Sequence, residues 1–189
     1  MLLIIALLYP ETGSIFRWSK SFALLLFLFA ALTDWLDGWL ARKFGQVSDF
    51  GKFMDALADK VLTLGMFTSL LALGALPIWS LFPILLILSR ELLITGLRLV
   101  AAGKGKTLEA EKIGKLKTVI QLTCICLSLA KLSVESDFTF ILSQDKLVLT
   151  LYTLDLSTAL TLILATLITV ISGVIYLIKY WRFFLDEEK

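Results

Sequence analysis

The sequence predicts an all-α integral membrane protein: a six-transmembrane-helix bundle with a polar, cytoplasm-facing cleft, built as one domain over residues 1–189. Three observations predict it. Of 189 residues, 58% are hydrophobic, and the mean hydropathy of +0.89 is too high for a soluble domain of this size. Apolar runs recur at helix length, separated by short polar or Gly/Pro links. Two neighbouring runs carry aspartates at helical spacing, where charge is costly in an apolar setting.

Composition also excludes some classes. A formal net charge of +2, from 18 basic and 16 acidic residues, is too small to point to nucleic acid. Cys124 and Cys126 form C-x-C within an apolar stretch and read as small buried hydrophobes, not a metal knuckle.

Taken in order, residues 1–9 are apolar but far short of the ~20 a span needs, and lack the basic start and small-residue cleavage site of a signal peptide. They read as the stub of a first membrane helix. Residues 10–20 form a polar turn. A second helix covers residues 21–44 and a third runs from Ser48 and Asp49, as cap and first turn, to about residue 73. Gly74 to Pro77 is a tight turn. A fourth helix, residues 77–102, carries Arg90, Glu91 and Arg98; a basic loop follows over 103–110, then a fifth helix over 111–132. Residues 133–154, mixed apolar and polar, suggest an interfacial helix lying on the membrane. Residues 156–178 form an uncharged span of 23 residues, ended by Lys179, Trp181 and Arg182 as an interface anchor.

Basic residues set the orientation. Lys104, Lys106, Lys112, Lys115 and Lys117 cluster in one link, and Arg42, Lys43, Lys179 and Arg182 fall on the same side. Residues 133–155 hold only Lys146 against four acids. The basic side is expected to be cytoplasmic, with both termini inside.

Asp34 and Asp37 are spaced i, i+3; Asp55 and Asp59 are spaced i, i+4. At about 100° per residue, Asp34, Asp37, Gly38, Ala41 and Arg42 fall within roughly 140°, and Gly51, Asp55 and Asp59 within roughly 80°. A turn around residues 43–47 would bring the two faces together. Four convergent carboxylates stay ionised only if cations hold them. With oxygen ligands and no His, the fitting ions are hard: Mg²⁺, Mn²⁺ or Ca²⁺. Two such ions roughly 3.5–4 Å apart would suit displacement at phosphorus. Gly38 and Gly51 would let a bulky ligand approach the backbone.

Residues 34–59 match D-x2-D-G-x2-A-R-x8-G-x3-D-x3-D at all fixed positions, a pattern expected by chance about once in 10¹⁰ starts. In this the chain resembles the CDP-alcohol phosphotransferase family. The resemblance implies that an alcohol attacks the β-phosphorus of a CDP-linked substrate and CMP leaves. It implies Asp34, Asp37, Asp55 and Asp59 as ligands to Mg²⁺ or Mn²⁺, two ions in all, with Asp59 also the general base. It further implies Asp34, Gly38, Ala41, Arg42, Ser48 and Gly51 as the CDP site, a preceding Asn-, Pro-, Thr- and Arg-bearing segment that would make the first helix truncated here, and a homodimer.

The acceptor is read from the basic residues. Arg90 and Arg98 lie about 80° apart on the helical wheel; Lys112 and Lys115 share a face, whereas Lys117 points about 200° from Lys115. Such a cluster suits a phosphate-bearing acceptor. Ser89–Arg98 and Gly114–Thr118 are similar to the bacterial phosphatidylglycerophosphate synthases, the branch of that family that joins CDP-diacylglycerol to sn-glycerol 3-phosphate. The resemblance thus implies a bacterial cytoplasmic-membrane enzyme of phospholipid biosynthesis, with Arg90, Arg98, Lys112, Lys115 and Lys117 on the acceptor phosphate. The alternatives are the same chemistry on inositol phosphate, serine or phosphatidylglycerol, a carboxylate-lined cation transporter, and an Asp-rich prenyltransferase.

Overall fold

The computed structural model describes residues 1–9, 12, 16–44, 49–103 and 112–185. Among them it is helical, with α1 (Leu2–Leu8), α2 (Ser19–Phe44), α3 (Asp49–Ala72), a 3₁₀ turn (Ile78–Ser80), α4 (Leu81–Gly103), α5 (Lys112–Asp137) and α6 (Gln144–Leu185). The Leu, Ala, Phe and Ile runs of α2 to α6 contain few breakers: Pro occurs only at the start of α4, where its missing N–H is tolerated. α3 ends where Gly74 takes a left-handed φ of +72°. The amides of Ala75 and Leu76 then return to the Leu70 carbonyl, closing the expected turn.

α5 and α6 form the most extensive pair; α2 lies on α5, α4 on α6, and α1 on α2. The apolar core runs between them through Phe27, Met66, Phe67, Ile87, Ile125 and Leu162. Two helical stretches among the described residues are long and apolar enough to cross a membrane: Leu116–Asp137, with mean hydropathy 1.4, and Gln144–Tyr180, with 2.4. Only 33% of each is buried, and Leu160, Leu167, Ile171 and Ile178 stand 54–72% exposed. Outward apolar faces of that extent suit lipid, not water. α1, at seven residues, is too short to span.

The interfacial helix expected over residues 133–154 does not form. Residues 133–137 complete α5, 138–143 make a turn, and 144–154 are the opening turns of α6. The reason is local. Asp145 sits in the first turn, where the helix dipole favours it, and neither Pro nor Gly interrupts the chain before Gly173. The polar start therefore propagates into the apolar span, giving 42 residues, about 63 Å at 1.5 Å per residue. That is twice the hydrocarbon thickness of roughly 30 Å, so α6 extends beyond it.

Asp137 ties this end together. Its Oδ2 accepts from the Ser21 amide at 2.7 Å and the Ser21 hydroxyl at 2.6 Å, satisfying an orphan donor in the first turn of α2. The Ser21 and Ser133 hydroxyls pair at 2.7 Å. Beside them the Lys20 ammonium donates to the carbonyls of Leu7, Leu8 and Tyr9, closing the end of α1. Asp137→Ala is expected to lower stability by about 1–3 kcal/mol, because it strands the half-buried Ser21 amide and hydroxyl. Chemical denaturation of the purified protein measures this, and an unchanged midpoint would remove Asp137 from that role.

Candidate active site

α2 presents Asp34 and Asp37 on one face, and α3 presents Asp59. All three line one cavity of about 360 Å³, whose walls include Ala30, Thr33 and Leu62. The structure thus brings three of the four predicted carboxylates around a common space. Asp55 lies one turn before Asp59 on α3, but its side chain is outside the described set. Among the described residues no three acidic, His or Cys side chains stand close enough to hold a metal ion. Gly38, Ala41 and Arg42 lie on α2 and Gly51 on α3; the Ala41 and Arg42 side chains, and Ser48 altogether, fall outside the described residues.

Next to the cavity is an ion network whose centre is Glu91 of α4, 3% exposed. Asp59 Oδ2 accepts from the Lys60 ammonium at 2.8 Å. Lys60 also lies 3.1 Å from Glu91 Oε2. Glu91 Oε1 accepts from Lys117 of α5 and, at 3.4 Å, from Arg90. Three cations and two carboxylates therefore link α3, α4 and α5. A carboxylate so deep is tolerated only because cations surround it.

The arginines reach α6. Arg90 Nη2 donates to the Ser172 hydroxyl at 3.2 Å, and Arg98 Nε makes a long hydrogen bond to the Tyr176 hydroxyl at 3.4 Å. The Arg98 guanidinium also lies over the Tyr176 ring, 5.4 Å from its centroid. Gly173 makes room for this approach: a Cβ there would stand 2.8 Å from Arg90 Cγ. Of the expected acceptor residues, Arg90 and Lys117 thus meet at Glu91, while Arg98, eight residues along α4, lies against Tyr176 of α6. The Lys112 and Lys115 side chains are not described.

A family model described as CDP-alcohol phosphatidyltransferase matches residues 1–171. The chain belongs to the CDP-alcohol phosphatidyltransferase family. It is 44% identical over 101 residues to a protein of Bacillus subtilis named CDP-diacylglycerol–glycerol-3-phosphate 3-phosphatidyltransferase, covering 53% of this chain and 51% of that protein. Proteins of the same name from Cereibacter sphaeroides and Treponema pallidum are 37% and 38% identical, over 110 and 122 residues. Those matches cover 58% and 65% of this chain and 50% and 55% of the relatives. The chain spans about half the length of the curated relatives it matches.

Sequence reasoning missed Lys60, although its place directly after Asp59 in an apolar run was a signal. It also missed the polar stripe of α6: Thr169, Ser172, Gly173 and Tyr176 recur at i, i+3, i+4, i+7 within a span read as featureless. In this member of the CDP-alcohol phosphatidyltransferase family Lys60 meets Glu91 directly, and the stripe meets the cluster through the Arg90–Ser172 hydrogen bond.

Glu91→Gln is expected to be the most destabilising change in the network, by about 3–5 kcal/mol, because it leaves three inward cations short of a carboxylate. Lys117→Met should cost about 1–3 kcal/mol, and Lys60→Met less still, since Lys60 is 18% exposed against 6% for Lys117. Denaturation of the three variants ranks them. Equal losses would mean that Glu91 does not organise the cluster.

Proposed function

We propose that the chain transfers a phosphatidyl group from CDP-diacylglycerol to sn-glycerol 3-phosphate, giving phosphatidylglycerophosphate and CMP, at the cytoplasmic face of a bacterial membrane. The observation that carries this reading is the juxtaposition of two unlike sites: a cavity lined by Asp34, Asp37 and Asp59, joined through Lys60 to the cations around Glu91. The shared name of the relatives supports the acceptor.

The cavity's charged donors are carboxylate oxygens, which fits hard divalent cations. Asp34, Asp37, Asp55 and Asp59 would hold them. Bound there, Mg²⁺ or Mn²⁺ would neutralise the diphosphate and the charge developing on departing CMP. Gly38, Ala41, Arg42, Ser48 and Gly51, with Asp34, would line the CDP moiety.

In this reading Arg90, Arg98 and Lys117, with Lys112 and Lys115, seat the acceptor phosphate. Among the described residues the network joins three basic side chains to two carboxylates, a setting that suits an anionic acceptor. Asp59 then takes the proton of the acceptor hydroxyl as its oxygen bonds to the β-phosphorus. The phosphorus–oxygen bond to CMP breaks and CMP leaves as an anion. Position governs this step, since Asp is an ordinary weak base made effective by proximity. Lys60 fixes the Asp59 carboxylate in its rotamer.

Purified protein given CDP-diacylglycerol with each alcohol in turn tests the acceptor. CMP release should be fastest with glycerol 3-phosphate, ahead of inositol phosphate, serine and phosphatidylglycerol; a rate no higher than with water would sink the assignment. Chelation should abolish release, and Mg²⁺ or Mn²⁺ should restore it. Asp59→Asn should slow turnover by roughly 10²–10⁴-fold while CDP-lipid binding persists. Arg98→Ala should raise the acceptor KM about tenfold or more, with little change for the lipid. Parallel rises would make Arg98 structural.

A further inference from the structure

A second cavity, of about 370 Å³, opens between the α3–α4 turn and the α5–α6 pair. Gly74, Pro77 and Trp79 form one wall; Lys131, Asp155 and Thr158 form the other. It lies far from the carboxylates. Lys131 is 14 residues along α5 from Lys117, about 21 Å at 1.5 Å per residue.

The cavity sets a charged pair and a hydroxyl-bearing residue into an otherwise apolar lining. Lys131 Nζ lies 2.5 Å from Asp155 Oδ1, with the lysine 17% exposed and the aspartate 54%. Thr158, one turn along α6 from Asp155, is 4% exposed, and its hydroxyl has no hydrogen-bond partner among the described residues. A buried hydroxyl left so is unfavourable, and a group entering the cavity would satisfy it. The volume lies at the lower end of the roughly 300–1,000 Å³ typical of small-ligand sites. On the segment that supplies Pro77 and Trp79 to its wall, Ile78 and Phe82 are 86% and 69% exposed, an apolar collar next to those wall residues along the chain.

We propose that this cavity takes the headgroup of a zwitterionic phospholipid, phosphate on Lys131 and Thr158 and ammonium on Asp155. The charge pattern selects it. A purely anionic headgroup must displace Asp155 from Lys131, whereas a phosphate and an ammonium on one ligand extend the existing pair into a ring of alternating charge. The collar suits acyl chains, and Trp79 in the cavity wall suits the interfacial level where headgroups lie. This site does not depend on the proposed transferase reaction.

The test is binding of dihexanoyl phosphatidylethanolamine to the purified chain, followed by native mass spectrometry against dihexanoyl phosphatidylglycerol and free phosphoethanolamine. The zwitterionic lipid should bind about tenfold more tightly than either, and Lys131→Gln or Asp155→Asn should each weaken it about tenfold, the loss of one charged contact. Ala159→Leu fills the cavity and leaves the ion pair in place, so it should abolish binding without unfolding the protein. Equal binding of the two lipids overturns the proposal, as does full retention in Ala159→Leu, which would mark annular lipid. Free phosphoethanolamine binding as well as the lipid would assign the cavity to a soluble ligand instead.

Discussion

Glu91 constrains four helices at once. Its carboxylate meets Lys60 of α3, Arg90 of its own helix and Lys117 of α5, and through Arg90 the constraint reaches Ser172 on α6. Apolar packing alone would leave the rotation of these helices loosely set, because Leu, Ile and Val present similar surfaces on every side. A buried carboxylate is different. It is tolerated only where cations arrive, so each helix must turn its cation inward. Turning α3 by one residue, about 100°, would carry Lys60 away from Glu91 and Asp59 off the cavity wall together. The order of the candidate site is thus tied to an ion cluster beside it.

That coupling gives the proposed reaction a spatial logic. In the proposed reaction the cavity at Asp34, Asp37 and Asp59 would hold cations, and the basic side chains described around Glu91 would hold an anion. The two adjoin through one lysine, which touches both Asp59 and Glu91. A nucleotide diphosphate held on one side and a phosphate-bearing alcohol on the other would meet at Asp59. Neither substrate has to cross the other's binding groups, and like charges on the two substrates are kept apart by Lys60.

Much of this was legible in the sequence, and what was not had physical causes. The aspartates announced themselves because charge in an apolar run has few benign explanations, and the helix limits near Phe44, Ala72 and Gly103 followed from polar or glycine-bearing links. Residues 133–154 were misread because their mixture of apolar and polar residues is also that of a helix lying on a membrane surface. Nothing in such a stretch records that it continues, without a breaker, into the next span. Lys60 was passed over since a lysine beside an aspartate resembles a solvated pair; only the fold turns it toward Glu91. The α6 stripe escaped because Thr, Ser, Gly and Tyr carry no charge and are ordinary within membrane helices, and their meaning depends on which helix faces them. Where a residue's role is set by its neighbours along the chain, the sequence spoke; where it is set by a partner 80 residues away, it did not.

The polar pairs across the α4–α5–α6 contact also explain how so greasy a bundle keeps one register. Along α6 they occur at three depths: Asp155 with Lys131, Thr169 with Gln121 at 3.2 Å, and Ser172 with Arg90. A slide of α6 by one turn, about 5.4 Å, would exchange one leucine for another at little loss in the apolar layers. It would break all three polar pairs together and leave buried donors and charges without partners. Each pair alone is worth about 0.6 kcal/mol by the measured average for such bonds in membranes, too little to fix a structure. Their concerted loss, with the desolvated Glu91 cluster added, is what separates this register from its neighbours. The polar residues therefore do the same thing throughout the bundle, near the proposed reaction and far from it: they supply the direction that hydrophobic packing lacks.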